Sequence, residues 1–129
     1  GPPCYCGKRG CIETFLCGPG MSRDYAKDAP PRSALVIAQR AAVGEPAAVA
    51  CLGRYEDRLA RCLASVINVL DPDAIVLGGG LSNIERLYTT VPHRWGRYVL
   101  SDVVRTRLLR PVHGDSSGAR GAARLWPAT

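Results

Sequence analysis

Cys4, Cys6 and Cys11 stand in a C-x-C-x4-C arrangement inside the segment CYCGKRGCIE. Thiolates are soft ligands that hold Zn²⁺ tetrahedrally at about 2.3 Å, and small glycines let so tight a loop fold around the ion. Lys8 and Arg9 lie between the ligands, where their charge eases the build-up of thiolate. A disulfide is the competing reading. Neighbours two apart in sequence bridge badly, and cytosolic proteins rarely carry disulfides, so the cluster is read as a zinc site. A closed site needs a fourth ligand. Cys17, His93 and His113 are available, but none falls in a recognisable pairing. Cys51 and Cys62 belong to a long helical pattern and read as packing residues.

Three further groups could do chemistry. Glu13 follows the last clustered cysteine by two residues. By pattern alone it reads as an exposed first-turn carboxylate favoured by the helix dipole. Held by a metal loop, it could instead accept hydrogen bonds from two adjacent hydroxyls. Gly78, Gly79 and Gly80 end an apolar strand, where open α/β sheets bind ligands and where a backbone without Cβ admits a phosphate or ribose. No Lys-Ser/Thr follows them, so this is not a Walker A loop, and a bare turn explains the glycines equally well. In HGDSSGARGAA, Asp115, Ser116 or Ser117 could cap a helix, and Ala119, Gly121 and Ala122 would let that helix pack closely on a sheet. A lone His113 without a partner reads as structural.

The elements that must position these groups follow from periodicity. Residues 1–20 are loop-like, with a short helix starting at Ile12 and stopped by Gly18-Pro19-Gly20. Ser33 is a plausible N-cap for a helix that Gly44-Glu45-Pro46 ends. From Ala47 to Leu70, Val49, Leu52, Tyr55, Leu59, Leu63, Val66, Ile67 and Leu70 recur at three and four, opposite Arg54, Asp57, Arg58 and Arg61. Asp71-Pro72-Asp73 terminates this helix, and AIVLGGG is a short buried strand. A helix over Ile84–Trp95, a strand over 104–112 and a final small-residue helix complete an α/β arrangement with parallel pairing. Two strands make a poor sheet, so the sheet is expected to be incomplete.

Composition bounds the rest. With 129 residues the chain is one ordinary domain or part of a larger one. The net charge of +6 comes from scattered cations, nearly all Arg. They lack the clusters interleaved with aromatics that mark nucleic-acid grooves, so a nucleic-acid partner is not expected. No apolar run approaches the roughly 18 residues of a membrane span, and no signal peptide opens the chain. A cytoplasmic protein without membrane contact is expected.

Taken together, CYCGKRGCIETFLCGPG, YEDRLARCLASVINVLDPDAIVLGGGLSN and HGDSSGARGAARLW resemble the ROK family of bacterial sugar kinases and sugar-responsive repressors. The first segment is similar to the family's zinc motif C-x-C-G-x-x-G-C-x-E, and the last looks most like the fructokinase branch. The resemblance implies the C-terminal part of an actin-like ATPase (ribonuclease H-like) fold. Residues 1–20 would be a zinc-binding loop and residues 21–129 a partial α/β kinase domain. It implies a structural Zn²⁺ on Cys4, Cys6 and Cys11, with a His from an upstream Glu-x-x-His segment as fourth ligand. It further implies sugar hydroxyls on Glu13, and ATP with Mg²⁺ bordered by Gly78, Gly79 and Gly80. Cys17 departs from the Ser frequent in the family. Nothing in the chain matches the family's phosphate loop or the Asn-Asp pair bearing its catalytic base. The expected function is therefore that of the C-terminal part of an ATP-dependent hexose kinase, a fructokinase acting on the 6-hydroxyl, inactive alone. The alternative is the sugar-sensing part of a ROK repressor. The implied partners are a hexose and ATP, with a separate N-terminal half or a homodimer partner.

Overall fold

The apolar spacing of residues 46–70 produces the helix around which the other elements of the computed structural model are packed. The structure describes residues 1–125; Trp126, where the C-terminal motif ends, lies outside the described residues. In chain order the elements are α1 (Gly18–Tyr25), α2 (Ala34–Ala42), α3 (Pro46–Leu70), β1 (Ala74–Val76), α4 (Leu87–Trp95), β2 (Arg107–Leu109) and α5 (Ser117–Ala123). Short 3-10 turns occupy Ile12–Thr14, Gly80–Asn83 and Gly114–Ser116. α3 packs against α1, α2 and α4, and the buried core lies along these contacts.

Pro46 opens α3, where its fixed φ suits a first turn and its missing N–H costs nothing. Asp71 closes the helix in the left-handed conformation (φ 43°), its N–H bonded to the Ile67 carbonyl at 2.8 Å. Leu52, Tyr55, Leu59, Leu63 and Ile67 are buried, as their spacing predicts. Val49 and Leu70 are not: they are 37% and 70% exposed. Near the two ends of so long a helix the stripe drifts off the contact face. The small Cys51, Ala60 and Ala64 are buried alongside the larger residues. Ser33 caps α2 as expected, its Oγ accepting from the Val36 N–H at 3.4 Å.

Gly18-Pro19-Gly20 begins a helix rather than ending one. The Cys17 sulfur accepts the Gly20 N–H at 3.2 Å, and Pro19 sits in the first turn, where no N–H partner is needed. The turn that starts at Ile12 is only three residues long. Gly20 is required by contact rather than conformation: a Cβ there would lie 2.5 Å from the Thr14 carbonyl oxygen.

β1 and β2 pair in parallel, Ala74 with Arg107, Ile75 with Leu108 and Val76 with Leu109. Among the described residues the sheet has these two strands alone, so the expected incompleteness is seen. The strand expected over 104–112 shrinks to three residues, because β1 offers only three partners. β1 is also less buried than its apolar sequence suggests, with Val76 58% exposed on the open sheet. The final helix does not pack on the sheet. α5 buries none of its described side chains, and Ala119, Gly121 and Ala122 are exposed. No single helix among the described residues is long and apolar enough to cross a membrane.

Candidate functional site

The cysteine loop is a small backbone hairpin. Pro3 and Arg9 form an antiparallel bridge, the Cys4 N–H donates to the Lys8 carbonyl at 2.9 Å, and the Gly7 N–H donates to the Cys4 carbonyl at 3.0 Å. Gly7 (φ 82°) and Gly10 (φ 72°) take left-handed conformations at the two reversals, which explains the glycines between the cysteines. This folding gathers Cys4, Cys6 and Cys11 so that their sulfurs lie within 4.8 Å of one another, with Cys6 and Cys11 3.6 Å apart. Thiolates around a tetrahedral zinc ion sit about 3.8 Å apart, so the donor set and spacing fit a soft divalent ion.

The Cys6 and Cys11 thiols are not equivalent. A hydrogen bond from the Lys8 backbone, with help from Cys4 and Cys11, lowers the pKa of the Cys6 thiol. Hydrogen bonds to Cys6 and Cys4 push Cys11 up to about 11. Cys17, His93 and His113 do not join the cluster. Cys17 is turned to cap α1, and both histidines are exposed. Cys51 is buried in the core as expected, and Cys62 is half-buried.

Glu13 projects from the three-residue turn that leaves this loop, and it is exposed. The turn is anchored on both sides of that residue. Thr14 donates its N–H and its hydroxyl to the Cys11 carbonyl at 2.9 and 2.7 Å. Arg23 of α1 donates to the Thr14 carbonyl at 2.8 Å. The Glu13 backbone is thus held by hydrogen bonds even as its carboxylate stays free for solvent.

Gly78, Gly79 and Gly80 leave the carboxyl end of β1 and are exposed, with Gly79 at φ 77°. Their conformation is fixed from behind. Ser82 donates to the Gly79 carbonyl through Oγ at 2.6 Å, and the Tyr88 hydroxyl donates to the Ser82 carbonyl at 2.7 Å. The glycines face Leu16, Cys17 and Gly18 across a cleft of about 340 Å³, floored by Tyr55 and Leu59 of α3. The chain leaving the cysteine loop and the glycine turn therefore share one opening. The turn at Gly114–Ser116, at the carboxyl end of β2, packs against the turn at Gly80–Asn83. Ser116 precedes α5 without a side-chain cap, and the Ser117 hydroxyl instead donates to the Gly114 carbonyl at 2.8 Å; the Asp115 side chain lies outside what is described.

Two buried carboxylates that sequence reasoning passed over hold the helices under this site. Glu56 of α3 is fully buried and accepts from Arg86 Nε at 2.6 Å, Arg86 Nη2 at 3.2 Å and Arg94 Nη2 at 3.1 Å. It ties α3 to α4 beside the glycine turn. Asp24 of α1 accepts from Arg54 Nε at 2.7 Å and Lys27 at 2.9 Å, with Arg58 3.4 Å away. Burial alone would raise its pKa, but these cations outweigh burial and hold it at about 2. A signal for Glu56 was present: it stands four residues after Leu52 and three before Leu59, at a core position of the apolar stripe.

These features define an α/β protein with a three-thiol loop and a glycine turn, the latter sharing one cleft with Leu16, Cys17 and Gly18 of the chain that follows the loop. The ROK family model matches residues 1–129, and the chain belongs to the ROK family. It is 43% identical over 127 residues to an N-acetyl-D-glucosamine kinase of Yersinia pseudotuberculosis, an alignment covering 95% of this chain and 41% of that enzyme. Its fold is similar to that of a ROK family glucokinase from Streptomyces griseus in complex with glucose and AMPPNP. There the TM-score is 0.84 at 25% identity, over 97% of this chain and 47% of the glucokinase. It is also similar to a ROK family transcriptional regulator, a homologue of the E. coli MLC protein. That match has a TM-score of 0.69 at 25% identity and covers 85% of this chain and 31% of the regulator. The chain thus spans about two fifths of the length of the curated relatives it matches.

Proposed function

We propose that this chain is the C-terminal part of an ATP-dependent hexose kinase whose sugar is N-acetylglucosamine. The observation that carries this reading is the 43% identity, maintained over nearly the whole chain, to an enzyme named for that sugar. The fructokinase expectation drawn from HGDSSGARGAARLW finds no support in these relatives, and N-acetylglucosamine replaces fructose. Residues 1–20 act as the zinc-binding loop and residues 21–129 as part of the α/β kinase domain.

In this reading Cys4, Cys6 and Cys11 hold a structural zinc ion, which supplies a rigid thiolate clamp and no reaction step. The clamp, together with Thr14 and Arg23, fixes the backbone on either side of Glu13. Glu13 accepts hydrogen bonds from two adjacent sugar hydroxyls, orienting the ring without removing a proton. Gly78, Gly79 and Gly80 admit the nucleotide, which enters with Mg²⁺, to the backbone at the carboxyl end of β1. The chain thus contributes binding and orientation, on which phosphoryl transfer chiefly depends. We assign no general base to it.

The similarity to a ROK transcriptional regulator favours one second reading, the sugar-sensing part of a repressor. One experiment separates the two. The chain is fused behind the N-terminal part of the Yersinia N-acetylglucosamine kinase, and ADP release is measured with N-acetylglucosamine, glucose and fructose. The kinase reading predicts turnover, with the highest kcat/KM for N-acetylglucosamine. A preference for fructose would restore the fructokinase assignment. A folded fusion that binds sugar but turns none over would favour the repressor.

A further inference from the structure

Tyr55 lies in the middle of α3 and is only 4% exposed. Three other tyrosines that are at least half-buried spend their hydroxyls on the protein. Tyr25 donates to Glu45, Tyr88 to the Ser82 carbonyl and Tyr98 to Asp57. The Tyr55 hydroxyl has no hydrogen-bond partner among the described residues. A buried tyrosine hydroxyl ordinarily finds one, because leaving it unpaired sacrifices its hydration for nothing. A phenylalanine would fill the same space without that cost.

The place where Tyr55 meets solvent is specific. No wholly sealed side-chain oxygen or nitrogen among the described residues lacks a partner, so the Tyr55 hydroxyl is slightly open. Tyr55 lines the cleft shared by Cys17, Gly18 and the glycine turn. Gly78, Gly79 and Gly80 border it with no heavy atom within 4 Å of where a Cβ would stand, so the space beside the turn is free. Burial raises the Tyr55 pKa to about 12, which keeps the hydroxyl a neutral donor.

We propose that the Tyr55 hydroxyl donates a hydrogen bond to an acceptor oxygen on the ribose–phosphate part of a nucleotide seated against Gly78–Gly80. This rests on the nucleotide reading of the glycine turn. It adds a binding residue from α3, at the head of the segment that runs on to the glycine turn.

The test is titration of ADP and of adenosine into the chain and into Tyr55→Phe, followed by calorimetry and by the backbone amide resonances of Gly78–Gly80. Tyr55→Phe removes one oxygen from a packed ring, and an unchanged melting temperature verifies that the variant is folded. ADP is expected to shift the three glycine amides in the wild-type chain. Tyr55→Phe is expected to weaken ADP about ten- to a hundredfold if the acceptor is a phosphate oxygen, with adenosine unaffected. If the acceptor is on the ribose, both ligands weaken by about three- to tenfold. Equal affinities in the two proteins would overturn the Tyr55 proposal and leave the nucleotide reading standing. Absence of any ADP-dependent shift in the wild-type chain would overturn both.

Discussion

Glu13 is the residue on which the sugar-binding proposal turns, because its backbone is anchored while its carboxylate is exposed. Glu13→Gln keeps the size and one acceptor oxygen but removes the charge that strengthens a hydrogen bond to a hydroxyl. In the fused kinase the expected loss is about 1.5–3 kcal/mol of sugar binding, or roughly ten- to a hundredfold in kcat/KM for the sugar. The KM for ATP should change little, and steady-state kinetics with each substrate varied in turn checks both. Asp24 makes a different kind of contribution, to stability. Its folded pKa of about 2 lies below the ordinary carboxylate value near 4, so the stability it adds is present above about pH 4 and is lost as pH falls toward 2. The partner guanidiniums are about one-third exposed, so solvent screening limits this to about 1–2 kcal/mol. Urea unfolding of Asp24→Asn should show that deficit at pH 6 and a smaller one at pH 3. Glu56→Gln removes the charge that two arginines share inside the core. It should cost about 2–3 kcal/mol at neutral pH, because both guanidiniums lose their ionic partner.

At the scale of elements, the parts legible in the sequence are those governed by local rules. The run from Leu52 to Ile67, the Ser33 cap and the Asp71-Pro72 stop specify α2 and α3 without help from the rest of the chain. The C-x-C-x4-C spacing likewise brings its three sulfurs together through turns that Gly7 and Gly10 alone make possible. What could not be read depends on distant partners. Gly18-Pro19-Gly20 looks like a terminator, yet it starts a helix because Cys17 caps it and because Gly20 lets α1 pass against the Thr14 carbonyl. Glu56 sits in the polar run Tyr-Glu-Asp-Arg, and its partners lie 30 and 38 residues away. The strand over 104–112 is cut short by the length of its neighbour, and the small-residue helix at the end has no described sheet surface to meet. The α1 contact supplies a test. Gly20→Ala places a methyl 2.5 Å from one backbone carbonyl oxygen and 3.0 Å from another. Since neither can give way cheaply, the variant should lose about 1–3 kcal/mol in thermal or urea unfolding. The proposed zinc site offers a test of the same junction from the other side. Protein purified without chelators should contain zinc, and a strong chelator should remove it and free the thiols of Cys4, Cys6 and Cys11. Metal analysis showing no zinc and three freely reactive thiols would contradict the site.

At the scale of the molecule, the groups proposed for this chain bind and orient, and no proton transfer is assigned to any of them. It aligns with about two fifths of an N-acetylglucosamine kinase, and its two-stranded sheet is exposed along Val76. An exposed two-stranded sheet is a marginal structure by itself, so most of the stability here comes from α1, α2 and α4 packed on α3. Binding groups without a base cannot complete phosphoryl transfer, however well they hold the sugar. The most direct measurement is ADP release with N-acetylglucosamine by the chain alone and by the chain fused to the N-terminal part of the Yersinia kinase. The account predicts no turnover above background from the chain alone and sugar-dependent turnover from the fusion. Turnover by the chain alone, abolished by a substitution within it, would contradict the account, as would a folded, zinc-loaded fusion that phosphorylates nothing.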